Sequence, residues 1–250
     1  MADVRIVADA PEVARVAAGE FLDRLDQAGR EGRPFRVALA GGRTPRGMYE
    51  ELAAAGAPGG KPVDWPRVHV FFGDERVVPP EHPESNFRLA REALLSRVPL
   101  PEANVHRVRA ELPDPDEAAE RYESEVRAVF GSAPGEWPRF DLVLLGLGTD
   151  GHVASLFPGS PALSERRRVV LAPWVESLGT RRITLTLPAI NHAAGILFLA
   201  SGGEKAEILR SVLDGGSGET PYPAQLVDPQ RGTVLWIADH AAARLLHRRA

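Results

Sequence analysis

Short apolar runs that alternate with segments of helical spacing limit the folds open to this chain of 250 residues more than any other feature. Each run is bounded by turn residues and has the length of a strand. The predicted strands span residues 4–7, 35–40, 68–72, 142–147, 169–172, 183–187, 196–200 and 234–237. The predicted helices span residues 12–28, 45–55, 86–95, 115–130, 205–213 and 240–246. Strand and helix therefore alternate along the chain.

The central predicted strands are apolar on successive residues rather than on alternate ones. Such strands are buried on both faces, as in a parallel sheet covered by helices. The pattern predicts a doubly wound, Rossmann-like α/β fold, in which a mainly parallel sheet is flanked by helices on both faces. No repeat, low-complexity tract or long linker divides the chain, so we expect a single domain over residues 1–250.

The composition excludes several kinds of partner. Lys plus Arg total 30 and Asp plus Glu total 34, a formal net charge of −4, and the basic residues are scattered, so we expect no nucleic-acid surface. Cysteine is absent, which excludes disulfides and thiolate metal ligands and fits a reducing compartment. The amino-terminal segment carries Asp3 and Asp9 and lacks the apolar core of a signal peptide. No apolar stretch reaches membrane-spanning length, and the sequence predicts a cytoplasmic protein without a membrane partner.

Ligands of this fold class bind beyond the carboxyl ends of the strands, so functional residues are expected directly after each apolar run. At one such end Gly41 and Gly42 follow a strand, and Thr44 and Pro45 take the predicted N-cap and first position of a helix. Exposed N–H groups and the helix dipole at such a terminus suit a phosphate. An ordinary capped turn explains the same residues equally well. A Walker loop does not, since no Gly-Lys-Ser/Thr follows.

A second strand end carries the charged residues Asp74, Glu75 and Arg76, and Ser85 and Asn86 begin the next predicted helix. Charged side chains at a strand end can bind sugar hydroxyls or a phosphate. Without further context, a salt-bridged surface turn is the favoured alternative.

The third strand end has the G-x-G-x-x-G pattern at residues 146–151. A dinucleotide site is rejected because Pro158 breaks the helix that must follow, and because Asp150 would place a carboxylate beside a pyrophosphate. What remains is a flexible turn that presents Asp150 and His152 at the end of a buried strand. A carboxylate beside an imidazole at this position predicts an acid/base site.

Lys205 follows the predicted strand 196–200 and opens a helix, a position suited to a phosphate contact, although a solvated surface lysine is the simpler interpretation. No metal-ligand spacing such as H-E-x-x-H occurs among the histidines. Apart from His152, the histidines are expected to be structural: His69, His82, His106, His192, His240 and His247.

Taken together, these segments resemble the 6-phosphogluconolactonase family, which is related to glucosamine-6-phosphate deaminase. The resemblance spans nearly the whole chain and rests on the order and spacing of its motifs. These are Gly41-Gly42-Arg43-Thr44-Pro45, Gly73-Asp74-Glu75-Arg76 with Ser85-Asn86, Leu147-Gly148 to Asp150-Gly151-His152, Ser155-Leu156-Phe157-Pro158-Gly159, Arg182-Ile183-Thr184 to Pro188 with Asn191, Gly203-Glu204-Lys205-Ala206, and Trp236-Ile237-Ala238-Asp239 with Ala241-Ala242.

The resemblance implies hydrolysis of 6-phospho-D-glucono-1,5-lactone to 6-phospho-D-gluconate in the oxidative pentose phosphate pathway, with His152 as general base, Asp150 beside it, and no metal or organic cofactor. It implies sugar or phosphate contacts from Asp74 and Arg76, and a small-molecule sugar-phosphate lactone as partner. The phosphate contacts that it implies come from Gly41, Gly42, Arg43, Thr44 and Lys205, with Arg182 close by.

Two alternatives from other classes stay open. The deaminase branch carries a catalytic Glu immediately before a proline, whereas this chain has Phe157 before Pro158, which disfavours deaminase or isomerase activity. A non-catalytic sugar-phosphate sensor would need an attached reader, and no helix-turn-helix segment precedes the first strand. Such a sensor would also have no evident use for Asp150 and His152.

Overall fold

The computed structural model describes residues 3–55, 63–133, 135–215 and 220–247. Within these residues, six parallel strands form one sheet, whose order across the sheet is residues 68–72, 35–39, 142–146, 195–200, 233–239 and 3–7. The strands along the chain are β1 (Asp3–Val7), β2 (Phe35–Leu39), β3 (Val68–Phe72), β4 (Asp74–Arg76), β5 (Leu142–Gly146), β6 (Val170–Leu171), β7 (Trp174–Val175), β8 (Thr180–Leu185), β9 (Gly195–Ala200) and β10 (Thr233–Asp239). The parallel sheet confirms the predicted fold class.

Helices pack on the sheet through faces that the sequence spacing creates. In the first helix, Val13, Ala17, Phe21 and Leu25 recur at four-residue spacing and are buried. Asp9 caps that helix by accepting from the N–H of Glu12 at 2.9 Å. The helices are α1 (Ala10–Arg30), α2 (Arg43–Ala55), α3 (Asn86–Ala90), α4 (Pro115–Phe130), α5 (Leu187–Asn191), α6 (Ala206–Leu213) and α7 (His240–Ala243). None of the helices in the described ranges is long and apolar enough to cross a membrane.

The order of the strands creates a crevice at one point of the sheet. From β2 the chain proceeds outward to β3, and it then returns to form β5 on the opposite side of β2. At such a reversal the connections leave the sheet in opposite directions, and a crevice opens beyond the carboxyl ends of the two strands. The residues after β2 and after β5 therefore face each other across this crevice.

A small antiparallel sheet lies beside the parallel one, with the order β4-β8-β6 and with β7 paired to β8. Gly73 joins the two sheets, because its N–H donates to the Leu39 carbonyl and its own carbonyl accepts from the Leu185 N–H, each at 2.8 Å. The predicted strand 183–187 is wrong at its end, since Leu187 begins α5. Thr186 caps that helix by accepting from the Ala189 N–H.

The predicted start of α2 is also wrong. Helix α2 begins at Arg43, so that Thr44 and Pro45 lie inside its first turn. Gly42 precedes the helix with a φ of 106°, and its carbonyl accepts from the Arg46 N–H at 3.1 Å. A residue without a Cβ takes this left-handed conformation at little cost, and therefore Gly42, not Thr44, makes the turn into the helix.

Candidate active site

A cleft of about 840 Å³ opens at the carboxyl edge of the sheet, where the strand order reverses. Its walls come from the segments that follow β2, β3, β5 and β9. The predicted site residues that line it are Gly41, Gly42, Arg43, Thr44, Asp74, Arg76, His152 and Lys205. Two further predicted residues lie next to the lining rather than in it: Asp150 hydrogen-bonds His152, and Arg182 pairs with Arg76.

Asp150 and His152 form a hydrogen-bonded pair. The Nδ1 atom of His152 lies 2.6 Å from Oδ1 of Asp150, and the backbone N–H of His152 donates to the same oxygen at 3.2 Å. Burial raises the pKa of Asp150, but the hydrogen bonds and the charge of His152 together lower it by more. The net pKa of Asp150 therefore lies below its usual value. An ionised carboxylate only accepts, and therefore Nδ1 carries the proton and the lone pair of Nε2 faces away from Asp150.

Two glycines of the turn after β5 leave room for neighbouring side chains, including this pair. A Cβ on Gly148 would lie 2.1 Å from Nδ1 of His152, and one on Gly151 would lie 2.6 Å from Cδ1 of Tyr222. Gly151 also has a φ of 83°. Beyond the turn, the Phe157 ring stacks on the imidazole with a centroid separation of 4.2 Å. Of these glycines, Gly148 therefore leaves room for the Asp150–His152 pair, and Gly151 leaves room for Tyr222.

Asp74 is a buried carboxylate that the surrounding side chains hold in place. Ser155 donates its hydroxyl to Oδ2 at 2.7 Å, and Nδ2 of Asn86 donates to Oδ1 at 3.2 Å. Its neighbour Glu75 accepts from the N–H groups of Asn86 and Phe87 at 2.7 and 2.8 Å. Burial raises the pKa of Glu75 although these hydrogen bonds oppose it. Asp74 thus faces the cleft, whereas Glu75 holds the start of α3.

Two arginines stand directly opposite each other on β4 and β8. Arg76 and Arg182 are in register across the antiparallel pair, so both side chains leave the same face. Arg76 donates to the Glu84 carbonyl, and no carboxylate of the described residues forms a salt bridge with either guanidinium. Burial, followed by the charge of Arg76, lowers the pKa of Arg182, although the nearby carboxylates of Asp74, Glu75 and Glu84 oppose this shift. Because like charges directly opposite each other are destabilising, this pair is suited to an anion.

The segment after β9 carries Lys205 into the cleft, and Asp239, which the sequence named only within a motif and without a role, holds the turn before it. Asp239, at the end of β10, accepts from the Gly202 N–H at 3.0 Å and from the Ala242 N–H at 2.7 Å. One carboxylate therefore both caps α7 and fixes the turn before Lys205. The signal was present, since an Asp directly before a predicted helix is a typical N-cap. Across the cleft mouth, Nη2 of Arg43 lies 3.6 Å from Oε1 of Glu204. The Arg43 side chain is 96% exposed.

A parallel α/β fold whose cleft holds an Asp–His pair beside cationic side chains defines an enzyme that acts on an anionic small molecule. The family is shown by sequence: the model described as glucosamine-6-phosphate isomerases/6-phosphogluconolactonase matches residues 8–236. The chain belongs to this family.

Similar proteins agree with that assignment. The 6-phosphogluconolactonase of Nostoc sp. is 41% identical over 222 residues, which cover 89% of each chain. The human 6-phosphogluconolactonase is 44% identical over 214 residues, covering 85% of this chain and 81% of the relative. Among solved structures, 6-phosphogluconolactonase from Trypanosoma cruzi superposes with a TM-score of 0.85 at 30% identity, covering 98% of this chain and 96% of that one.

Proposed function

We propose that this protein hydrolyses 6-phospho-D-glucono-1,5-lactone to 6-phospho-D-gluconate, a reaction of the oxidative pentose phosphate pathway, with His152 as general base. The observation that carries the proposal is the 2.6 Å contact between His152 Nδ1 and Asp150, which leaves Nε2 as a proton acceptor at the cleft. The similar 6-phosphogluconolactonases of Nostoc sp. and human support the choice of substrate. A cytoplasmic location and the absence of nucleic-acid and membrane partners belong to the same proposal.

In the proposed mechanism one histidine performs both proton transfers. Nε2 of His152 takes a proton from water as the water oxygen bonds to C1 of the lactone. The carbonyl electrons move to oxygen, and the resulting tetrahedral intermediate then collapses, which breaks the bond between C1 and the ring oxygen. The imidazolium returns its proton to that departing oxygen. Asp150 stabilises the imidazolium and holds the ring orientation throughout.

Recognition of the substrate is assigned to the other strand ends. The N–H groups of Arg43 and Thr44 lie in the first turn of α2, where no intrahelical acceptor exists, and they suit the phosphate together with Lys205. The carboxylate of Asp74 can only accept when ionised, so it suits a sugar hydroxyl. Arg76 and Arg182 supply further positive charge for the phosphate or the sugar. Binding the phosphate holds the lactone carbon near His152 before reaction.

The test is lactone loss timed against a blank without enzyme, because such esters hydrolyse unaided. We expect the purified protein to exceed the blank without added metal or nucleotide, and to keep its activity in a chelator. No excess over the blank would overturn the proposal. Ammonia release from glucosamine 6-phosphate by the same preparation would point instead to the deaminase branch.

A further inference from the structure

The side chain of Asn86 spans the space between two strand ends. Asn86 is 2% exposed, and its Oδ1 has no hydrogen-bond partner among the described residues. A Cβ built on Gly41 would lie 1.8 Å from that oxygen and 2.5 Å from Cγ. The φ of Gly41 lies outside the left-handed region, so an alanine there meets no backbone strain. The carboxamide of Asn86 is thus what demands a glycine at position 41.

The other end of the same carboxamide holds Asp74. Nδ2 of Asn86 donates to the Asp74 backbone carbonyl at 2.9 Å and to its carboxylate at 3.2 Å. Both partners only accept, which fixes the NH₂ group on their side and Oδ1 against Gly41. The backbone of Asn86 is itself anchored, because its N–H donates to Glu75 at 2.7 Å. One buried, anchored side chain therefore contacts the end of β2 and the start of β4.

We propose that Asn86 is a positioning residue that sets the distance between the Gly41 turn and the Asp74 carboxylate. The inference rests on the proposed function, in which the Gly41 turn holds the phosphate and Asp74 holds a sugar hydroxyl. A buried carbonyl without a partner is unfavourable by itself, and a smaller or apolar residue would avoid that cost. Such a residue would lose either the contact with Gly41 or the hydrogen bonds to Asp74.

This role predicts a specific kinetic effect of substituting Asn86. A phosphate accelerates reaction at the lactone carbon only if its contacts are in register with those at the sugar ring. Loosening the link should therefore reduce the advantage of the phosphorylated lactone over glucono-1,5-lactone, which has the same ring but no phosphate. The unphosphorylated lactone shares the hydroxyl contact with Asp74 but does not use that register, so its reaction should slow by a smaller factor.

The experiment measures kcat and KM for both lactones on wild type and Asn86→Ala. We expect Asn86→Ala to lower kcat/KM for the phosphorylated lactone by about tenfold to a hundredfold, with a fall in kcat as well as a rise in KM, and to slow glucono-1,5-lactone by a clearly smaller factor. The matched control is Ser85→Ala, which removes the cap of the same helix at Arg88 and a hydrogen bond to Glu75 but keeps the Asn86 carboxamide, and it should keep the wild-type preference. An equal loss on both lactones would make Asn86 merely structural and overturn the inference.

A second variant tests the contact from its other side. Gly41→Ala places a Cβ where Asn86 Oδ1 lies and should reduce the same preference. In an Asn86→Ala background the space is open, so adding Gly41→Ala should cost several-fold less than it does in wild type. Additive losses would contradict the inference while leaving the proposed function intact. A wild-type protein that is inactive on the phosphorylated lactone would overturn both.

Discussion

At the scale of single residues, the proposed mechanism depends on the orientation of one imidazole. Asp150 stays ionised well into the acidic range because the pKa of its carboxyl is lowered in the pair with His152. The folded enzyme consequently keeps the hydrogen bond between Asp150 and Nδ1 of His152 at neutral pH. Phe157 covers one face of the same ring and brings no carboxylate to it, which agrees with a lactonase rather than a deaminase.

His152→Ala should lower kcat by about 10²–10⁴-fold, the usual contribution of a positioned acid/base group, while KM stays near that of wild type. The reason is that the variant loses the proton acceptor and keeps the strand ends that bind the substrate. The measurement is steady-state hydrolysis of the phosphorylated lactone, corrected for the blank. A kcat close to wild type would show that the base lies elsewhere.

Lys205→Ala should lower kcat/KM for the phosphorylated lactone by about ten- to a hundredfold, because a charge-assisted hydrogen bond contributes roughly 1.5–3 kcal/mol. Glucono-1,5-lactone offers Lys205 no phosphate and should react equally with both proteins. Lys205→Arg keeps the charge and is the matched control. If both lactones slow by the same factor, the assignment of Lys205 to the phosphate is wrong.

At the scale of elements, the helix α4 and the edge strand β3 enclose a chain of titratable groups outside the cleft. Nδ1 of His69, on β3, lies 3.1 Å from Nε2 of His106. Nδ1 of His106 lies 2.9 Å from Oε1 of Glu125 on α4. Burial, followed by the charges of His106 and Arg36, lowers the pKa of His69. The folded state therefore favours the neutral form of this imidazole.

The stability of the protein should consequently fall at mildly acidic pH. A histidine with a lowered pKa contributes stability that is fully present above its unfolded pKa, about 6.5, and is lost as pH falls through the folded value. We expect the urea midpoint of wild type to fall between about pH 7.5 and about pH 5.5, and His69→Gln to reduce that fall. Identical pH dependence in the two proteins would exclude His69 as a source.

The elements also mark how far sequence patterns reach. The central strands of the parallel sheet are predictable because burial on both faces produces continuous apolar runs, as in β5 and β9. Strand β4 is not, since its residues Asp74, Glu75 and Arg76 are all charged and pair with β8 only through the tertiary fold. The Asp150–His152 pair was foreseen because both residues lie in one turn. The contact of Asn86 with Gly41 was not foreseen, because the sequence shows a glycine at position 41 but not which distant side chain occupies the space of the absent Cβ.

At the scale of the whole molecule, the cleft exists only when strand ends that are far apart in the chain come together. A ligand that contacts several of these ends binds the folded state and not the unfolded chain. We therefore expect 6-phosphogluconate to raise Tm. At about a hundred times its Kd the stabilisation is roughly 2.7 kcal/mol, which corresponds to an increase of about 5–10 °C for a chain of this size.

The control for this shift is gluconate, which lacks the phosphate and should raise Tm much less at equal concentration. Thermal melts of Lys205→Ala with 6-phosphogluconate should show a reduced shift. Equal stabilisation by both compounds would mean that the phosphate is not recognised at the cleft.

The Asp150–His152 pair lies within a single turn and hydrogen-bonds internally, whereas the cationic groups belong to other strand ends. In the proposed mechanism, bond breaking and substrate choice are thus encoded in separate segments of the chain. Substitutions at Lys205, Arg76 or Arg182 would then change which lactone binds, while the turn with Asp150 and His152 stays the same. On that proposal, hydrolases for lactones with other substituents can arise from the same Asp–His pair.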